Sequence, residues 1–411
     1  MLIIYRFLIN LIFIFSPIII ILRLLKKKEN LKRFKEKLGF FSKKKVNGKL
    51  IWFHGASVGE IQSIIPIIEK FEKNKNIKQI LVTSNTISSS TIIKKLKFKK
   101  TIHQFFPIDT NFISRKFLNY WKPSKAFFVD SEIWPNTINN LSEKKIPIIL
   151  LNGRITKKTF KRWIFFSNFA KSLFIKFNLC LSSSKESKRY LKKLGAKNIK
   201  FFGNIKFSQS ENRVESLNKN LKKFIHKRKS WCASSTHFSE EYFCGKIHLN
   251  LKKKYKNILT IIIPRHVNRT QSIKKELDEL ELKVHIHEPQ KKIDPNTDIY
   301  LVNSYGSTKS FYNICKNIFL GGSLINHGGQ NPLEAVRYGC NILHGPNISN
   351  FKEIYEFLKK KKISNKVSTF NQMTKILKKD LIKKNYSKRV IRNMNLIGKK
   401  ILKKTYNEIC L

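Results

Sequence analysis

Carboxylates are scarce in this chain, 26 Asp and Glu against 83 Lys and Arg. An acid beside glycines at the end of an apolar run is therefore the first place to look for chemistry. Glu60 closes His54-Gly55-Ala56-Ser57-Val58-Gly59-Glu60, directly after Leu50-Ile51-Trp52-Phe53. A carboxylate on a loop opened by Gly55 and Gly59 can take a proton from a hydroxyl nucleophile. Ser57-x-x-Glu60 is equally the pattern of a helix capping box, and the two roles are compatible. Asp130 and Glu132 follow the apolar run Ala126–Val129 and surround Trp134-Pro135-Asn136. They read either as site acids or as a solvated turn. Arg154, after Asn152-Gly153, offers a fork-shaped donor for a carboxylate or phosphate.

A second group suits anions. Ser235, Thr236 and His237 follow the run Ser230–Ala233, with Glu240-Glu241 behind them; the hydroxyls read equally as helix caps or as ligand contacts. Pro264-Arg265-His266 ends another apolar run and places a guanidinium where it can neutralise a leaving phosphate. The densest stretch is Leu320–Ala335. There Gly321-Gly322-Ser323 and Gly328-Gly329 precede Asn331-Pro332-Leu333-Glu334. Asn331 at an N-cap, Pro332 in the first turn and Glu334 three residues after the cap predict a helix start. Strand, glycine-rich loop and helix N-terminus together predict a backbone cradle for phosphate. His285-x-His287-Glu288 lacks a fourth ligand and helical spacing and reads as surface. No Asp-x-Asp metal motif and no C-x-x-C occurs, and the six cysteines are scattered, which fits free thiols in a reducing compartment.

The elements that must hold these residues alternate. Strands are predicted at Leu50–Phe53, Ile80–Thr83, Ala126–Val129, Ile146–Leu151 and Leu179–Leu181, with a helix over Ile61–Phe71. A second set is predicted at Ser230–Ala233, Leu259–Ile263, Ile299–Val302, Ile318–Leu320 and Asn341–Leu343, and a Lys-rich helical region follows Phe351. Strands alternating with helices imply parallel α/β sheets, which bind ligands at strand C-terminal ends. The expected organisation is an anchor over 1–28, an N-terminal α/β domain over 29–207, a linker over 208–229, and a C-terminal α/β domain with a helical tail over 230–411. Two such Rossmann-like domains facing a cleft are the GT-B glycosyltransferase plan.

Phe7–Leu22 is nearly all apolar, bounded by Arg6 and Arg23 and followed by Lys26-Lys27-Lys28. A cleaved signal peptide needs small residues near its end, and none precede Arg23-Leu24-Leu25. A membrane anchor, spanning or half-embedded, fits these flanks, with the following domains kept cytoplasmic. The net charge of +57 across 411 residues favours anionic partners. The lysines are spread along the whole chain, which points to compositional drift as much as to a partner. A basic nucleic-acid-binding protein would instead gather basic and aromatic residues on one face, a grouping not seen here.

With these residues assembled, the chain resembles the Kdo transferases, which attach 3-deoxy-D-manno-octulosonic acid (Kdo) in lipid A biosynthesis. The resemblance runs in order through Ser57–Glu60, Ser131–Asn136, Asn152–Arg154, Gly203–Phe207, Ser235–His237 with Glu240-Glu241, Pro264–His266, Gly321–Leu324, Gly328–Ala335 and Gly345–Phe351. The chain departs from the family at Asp130, where Glu is usual, at Gln330 and Asn347, where His is usual, and across Asn303–Thr308. The resemblance implies an inverting transfer from CMP-Kdo to the tetraacylated lipid A precursor, without metal or other cofactor, at the cytoplasmic face of the inner membrane and its anionic lipids. It makes the first α/β domain acceptor-binding and the second donor-binding. It implies Glu60 as catalytic base, with Ser57, Gly59, Asp130, Glu132 and Arg154 on the acceptor side. Ser235, Thr236, His237, Pro264, Arg265, His266, Gly321, Gly322, Ser323, Asn331 and Glu334 would bind the donor, Glu334 through the ribose hydroxyls. Nucleic acid is not expected as a partner. The alternative is a GT-B transferase using a UDP-sugar and a lipid-linked acceptor.

Overall fold

A computed structural model describes the chain except residues 27–28, 210–216, 289–290, 305, 383–385 and 411. Most of the expected linker's first half, Tyr305 and two lysines of the basic flank thus lie outside the described residues. The chain forms two compact units, Met1–Ser210 with Ile397–Leu411, and Glu211–Leu396.

The first unit is built on a seven-stranded sheet in the order β3-β2-β1-β4-β5-β6-β7. Its strands are β1 (Leu50–His54), β2 (Gln79–Ser84), β3 (Thr101–Phe105), β4 (Lys125–Val129), β5 (Ile148–Gly153), β6 (Leu179–Ser182) and β7 (Ile199–Lys200). Every pairing is parallel. Side chains alternate across the sheet, as a strand's two-residue period requires. Trp52 and Phe128 enter one core layer with Phe117 and Trp121, while Phe53 and Phe127 enter the other with Ile64, Ile68 and Phe71. Burial on both faces explains why the central strands read as unbroken apolar runs.

The second unit repeats the plan in the order β10-β11-β9-β8-β12-β13-β14, again all parallel. These are β8 (Lys229–Thr236), β9 (Ile258–Pro264), β10 (Val284–Ile286), β11 (Ile299–Leu301), β12 (Asn317–Leu320), β13 (Asn341–His344) and β14 (Ser364–Lys366). Helix Glu240–Lys252 lays Cys244, Ile247 and Leu251 on Trp231, Ala233, Ile262 and Phe319. Below it, Asp298 accepts from His248 and Lys252 and from the Lys283 N–H. Burial alone would raise its pKa, but these bonds outweigh it and hold the carboxyl well below the usual range.

Two boundaries differ from the sequence reading. Helix Lys219–His226 stands inside the expected linker and belongs to the second unit. The tail does not end with the second unit: Ile397–Leu411 belongs to the first. Its apolar and charged groups find partners there, with Tyr406 against Phe71, Glu408 paired to Lys200 at 2.5 Å, and Lys125 donating to the Ile409 carbonyl. Helix Leu2–Leu25 is the one helix among the described residues long and apolar enough to cross a membrane.

Candidate active site

Helix Val58–Glu72 starts directly beyond β1, and its first turn carries Glu60. The capping box forms: Ser57 Oγ accepts the Glu60 N–H, and Glu60 Oε2 accepts the N–H groups of Ala56 at 2.6 Å and Ser57 at 3.3 Å. Among the described residues Oε1 has no hydrogen-bond partner. Burial raises the Glu60 pKa to about 7, the charges of Glu132 and Asp130 push the same way, and the Ser57 bonds oppose them. One oxygen of the carboxylate thus serves the cap, and the other is left unengaged. A Cβ on Gly59 would meet nothing within 4 Å, so the helix start is open at Gly59.

Beyond β4, Glu132 Oε2 accepts from Trp134 Nε1 at 2.9 Å and lies 3.3 Å from His54 Nε2. Trp134 Nε1 also lies 3.0 Å from His54 Nε2, and His54 Nδ1 faces Thr83 Oγ1 at 2.9 Å. His54 is fully buried at the end of β1. The sequence reading quoted it without assigning it this bridging role.

Asp130 corrects its expectation as an acceptor contact. It is buried in a left-handed backbone conformation and taken up by Asn152 Nδ2 at 2.5 Å and Lys206 Nζ at 2.6 Å. With both oxygens paired inside the protein, it braces the ends of β4 and β5 rather than meeting a ligand. Arg154 is half-buried, and its N–H donates to the Asp130 carbonyl.

In the second unit the phosphate cradle is also corrected. An internal anion already occupies it. The buried Glu240 carboxylate accepts the N–H groups of Gly322 at 2.7 Å, His237 at 3.0 Å, Leu324 at 3.0 Å and Ser323 at 3.1 Å. The Gly321 N–H goes to Ser234 O and the Gly329 N–H to Gly322 O. The glycines serve close packing instead: a Cβ on Gly321 would sit 2.5 Å from Ser235 O and 2.6 Å from Thr236 Cα. Ser323 turns its hydroxyl inward, donating to Leu320 O and accepting the Gly345 N–H. The predicted helix start shifts as well. The helix runs over only Leu333–Arg337, Pro332 is its N-cap, and Asn331 Oδ1 accepts the Leu333 N–H. Glu334 closes no box; it lies partly exposed, 3.3 Å from Lys309 Nζ.

The groups left to meet an anion are side chains. His237, after β8, has its ring centroid 4.4 Å from that of His327 and 5.7 Å from that of His266, after β9. His237 Nε2 is buried without a partner among the described residues. Burial lowers the His237 pKa to about 4, helped by the charges of His327, His266, Arg265 and Arg269. Arg265 and His266 are exposed at the end of β9, and the Arg265 N–H donates to Thr236 O. Arg269 pairs with buried Glu241 through Nη1 and Nη2 of its guanidinium, at 3.1 and 3.3 Å. Ser235 sits in a left-handed conformation between these elements. Guanidinium and imidazole groups thus meet at the C-terminal ends of β8, β9 and β12, where parallel sheets take their ligands. Among the described residues no group of three or more His, Cys, Asp or Glu could hold a metal ion.

Comparison with known proteins agrees with this geometry. Residues 32–209 match the family model described as 3-deoxy-D-manno-octulosonic-acid transferase (kdotransferase). The 3-deoxy-D-manno-octulosonic acid transferase of Rickettsia bellii is 31% identical over 362 residues, covering 88% of this chain and 86% of that protein. The transferase of the same name from Haemophilus influenzae is 28% identical, covering 75% of this chain and 73% of that protein. A solved UDP-N-acetylglucosamine 2-epimerase superposes with a TM-score of 0.61 at 11% identity, covering 88% of this chain and 96% of that one. That likeness establishes the tandem α/β fold of GT-B type. By sequence, the chain belongs to the 3-deoxy-D-manno-octulosonic acid transferase family of glycosyltransferases.

Proposed function

We propose that this protein transfers Kdo from CMP-Kdo to a hydroxyl of the lipid A precursor lipid IVA, with inversion at the anomeric carbon. The observation that carries the reading is Glu60: a half-buried carboxylate with one oxygen held by backbone N–H groups, the other unengaged, and a pKa raised to about 7. Such a group is a base matched to neutral pH. It takes the acceptor hydroxyl proton while the oxygen attacks the sugar. Gly59 leaves room for that hydroxyl, and Glu132 with His54 and Trp134 lines the same strand ends. Ser57 holds the loop through its cap, and Asp130 holds it less directly by bracing β4.

CMP leaves as an anion. Arg265, His266, His327 and the unpartnered His237 Nε2 are the groups that would meet its phosphate, with Ser235 and Thr236 beside them. Pro264 ends β9 and sets where Arg265 begins. Gly321, Gly322 and Ser323 act by shape, held against Glu240, and Asn331 starts the turn that presents Glu334 to the ribose hydroxyls. The helix Leu2–Leu25 would hold the enzyme at the cytoplasmic face of the inner membrane, where its basic surface meets anionic lipid and the phosphorylated acceptor.

Two measurements test this. Purified protein with CMP-Kdo and lipid IVA should release CMP, and Glu60→Ala should lose turnover while still binding CMP-Kdo. Competition by CMP but not UDP should slow the reaction. Inhibition by UDP alone, or unchanged turnover in Glu60→Ala, would refute the assignment.

A further inference from the structure

The helix Leu2–Leu25 is tied to the first unit at both ends. At its start, Tyr5 Oη donates to Asp109 Oδ2 at 2.9 Å, and Arg6 donates to Asn136 Oδ1 at 3.0 Å and to Asn111 Oδ1. At its end, Arg23 pairs with Glu29 at 2.6 Å, Glu29 pairs with Lys37 at 2.6 Å, and Lys37 Nζ donates to Asn85 O. Between the ties one stripe is covered. Ser16 and Ile20 are buried, and Leu2, Tyr5, Ile9 and Phe13 are partly so, the spacing of a single helix face. The opposite stripe, Ile4, Phe7, Leu11, Ile14, Ile18 and Leu22, is exposed and entirely apolar. Two further exposed apolar side chains flank the ties, Phe112 beside Asn111 and Leu31 near Glu29, each 76% exposed.

Tyr5 and Arg23 are separated by about 27 Å along the helix axis, close to the roughly 30 Å of a bilayer's hydrocarbon core. If the helix crossed the bilayer, the loops holding both ends would lie at opposite faces. Asp109, Asn111 and Asn136 would then be carried through hydrocarbon with their polar backbone. The alternative leaves every bond intact. We propose that the helix lies in the plane of one leaflet, flat against the catalytic unit, with its exposed apolar stripe among the acyl chains. This rests on the reading of the helix as the membrane anchor and sets its orientation. Arg6, Arg23, Lys26 and Lys32 at its two ends supply charge complementary to anionic headgroups.

The orientation has a consequence for the site. Asn85 follows β2, Asn136 follows β4 and Asp109 follows β3, while Glu60 follows β1, which lies between β2 and β4 in the sheet. The loop carrying Glu60 is thus flanked by the loops that hold the helix. A hydroxyl of a leaflet-bound acceptor is presented at the same strand ends as the candidate base.

The test is depth. In full-length protein carrying Cys410→Ser, the five remaining cysteines are all buried. A spin label on Ile14→Cys, in inside-out inner-membrane vesicles from cells making the protein, should lie about 5–10 Å below the headgroups. In right-side-out vesicles from the same cells, where an impermeant maleimide reaches only the face opposite the catalytic units, Ile3→Cys and Leu25→Cys should show no reaction. A label at the bilayer midplane, or Ile3→Cys reacting from the opposite face, overturns the in-plane orientation and leaves the anchor reading standing. Failure of the protein to sediment with the vesicles at all overturns both.

Discussion

Replacing Glu240 with Gln isolates the internal anion of the second unit. The carboxylate accepts four backbone N–H groups, two on each oxygen. Glutamine preserves the shape but turns one oxygen into an NH2 donor, so two buried N–H groups face a donor instead of an acceptor. At about 1–3 kcal/mol for each buried group left unsatisfied, Glu240→Gln should cost about 2–6 kcal/mol. The unit Glu211–Leu396 is large enough to stay folded through that loss at 25 °C. For a unit of this size, about 4 kcal/mol corresponds to a Tm lowered by about 8–16 °C. Differential scanning calorimetry reads the shift, and titration with CMP reads the accompanying displacement of His237, whose N–H is one of the four. A variant with wild-type Tm and CMP affinity would refute the role given to Glu240.

Other outcomes follow from the same structure. The rate at limiting acceptor should rise with pH through about 7, because Glu60 must lose its proton before it can act. Glu132→Gln removes a charge that raises the Glu60 pKa and should move that rise to lower pH in a kcat/KM profile. Gly59→Ala should keep wild-type Tm, since its Cβ meets open space, whereas Gly321→Ala meets backbone at 2.5 Å and should lower Tm by several degrees. Asp298→Asn should cost about 1–3 kcal/mol at pH 7 in urea unfolding. Its folded pKa is held below the unfolded value, so the wild type has this stability above pH 5 and loses it as pH falls past about 4. The gap between wild type and variant should close in acid.

The central strands of both sheets were legible because burial on both faces leaves an unbroken apolar run, as in Phe127-Phe128-Val129 or Ile261-Ile262-Ile263. The four strands not foreseen are β3, β7, β10 and β14, and each is a sheet edge. Edge strands are covered on fewer sides and tolerate residues such as His103, Lys200, His285 and Asn365. His285-x-His287-Glu288, which overlaps β10, accordingly reads as surface from the sequence. The Glu60 cap was legible from local spacing, as Ser57 stands three residues away. The occupied cradle was not. Glu240 lies 82 residues from Gly322, and a glycine-rich loop reads the same whether its N–H groups meet a ligand or a buried side chain. The scarcity of acids was a usable signal, since a Glu at a helix entry in so basic a chain has a partner to find. Asp130 misled for a related reason: its partner Lys206 is one lysine among many, and spacing does not select it.

The most direct test of the central claim is the mass of lipid IVA after incubation with the protein and CMP-Kdo in detergent. The account predicts a shift by the mass of Kdo for the wild type and none for Glu60→Gln, while CMP-Kdo binding stays at the wild-type level. Product formed by Glu60→Gln at the wild-type rate would contradict the assignment of the base. An unshifted lipid with folded, CMP-Kdo-binding wild-type protein would contradict the assignment of the acceptor.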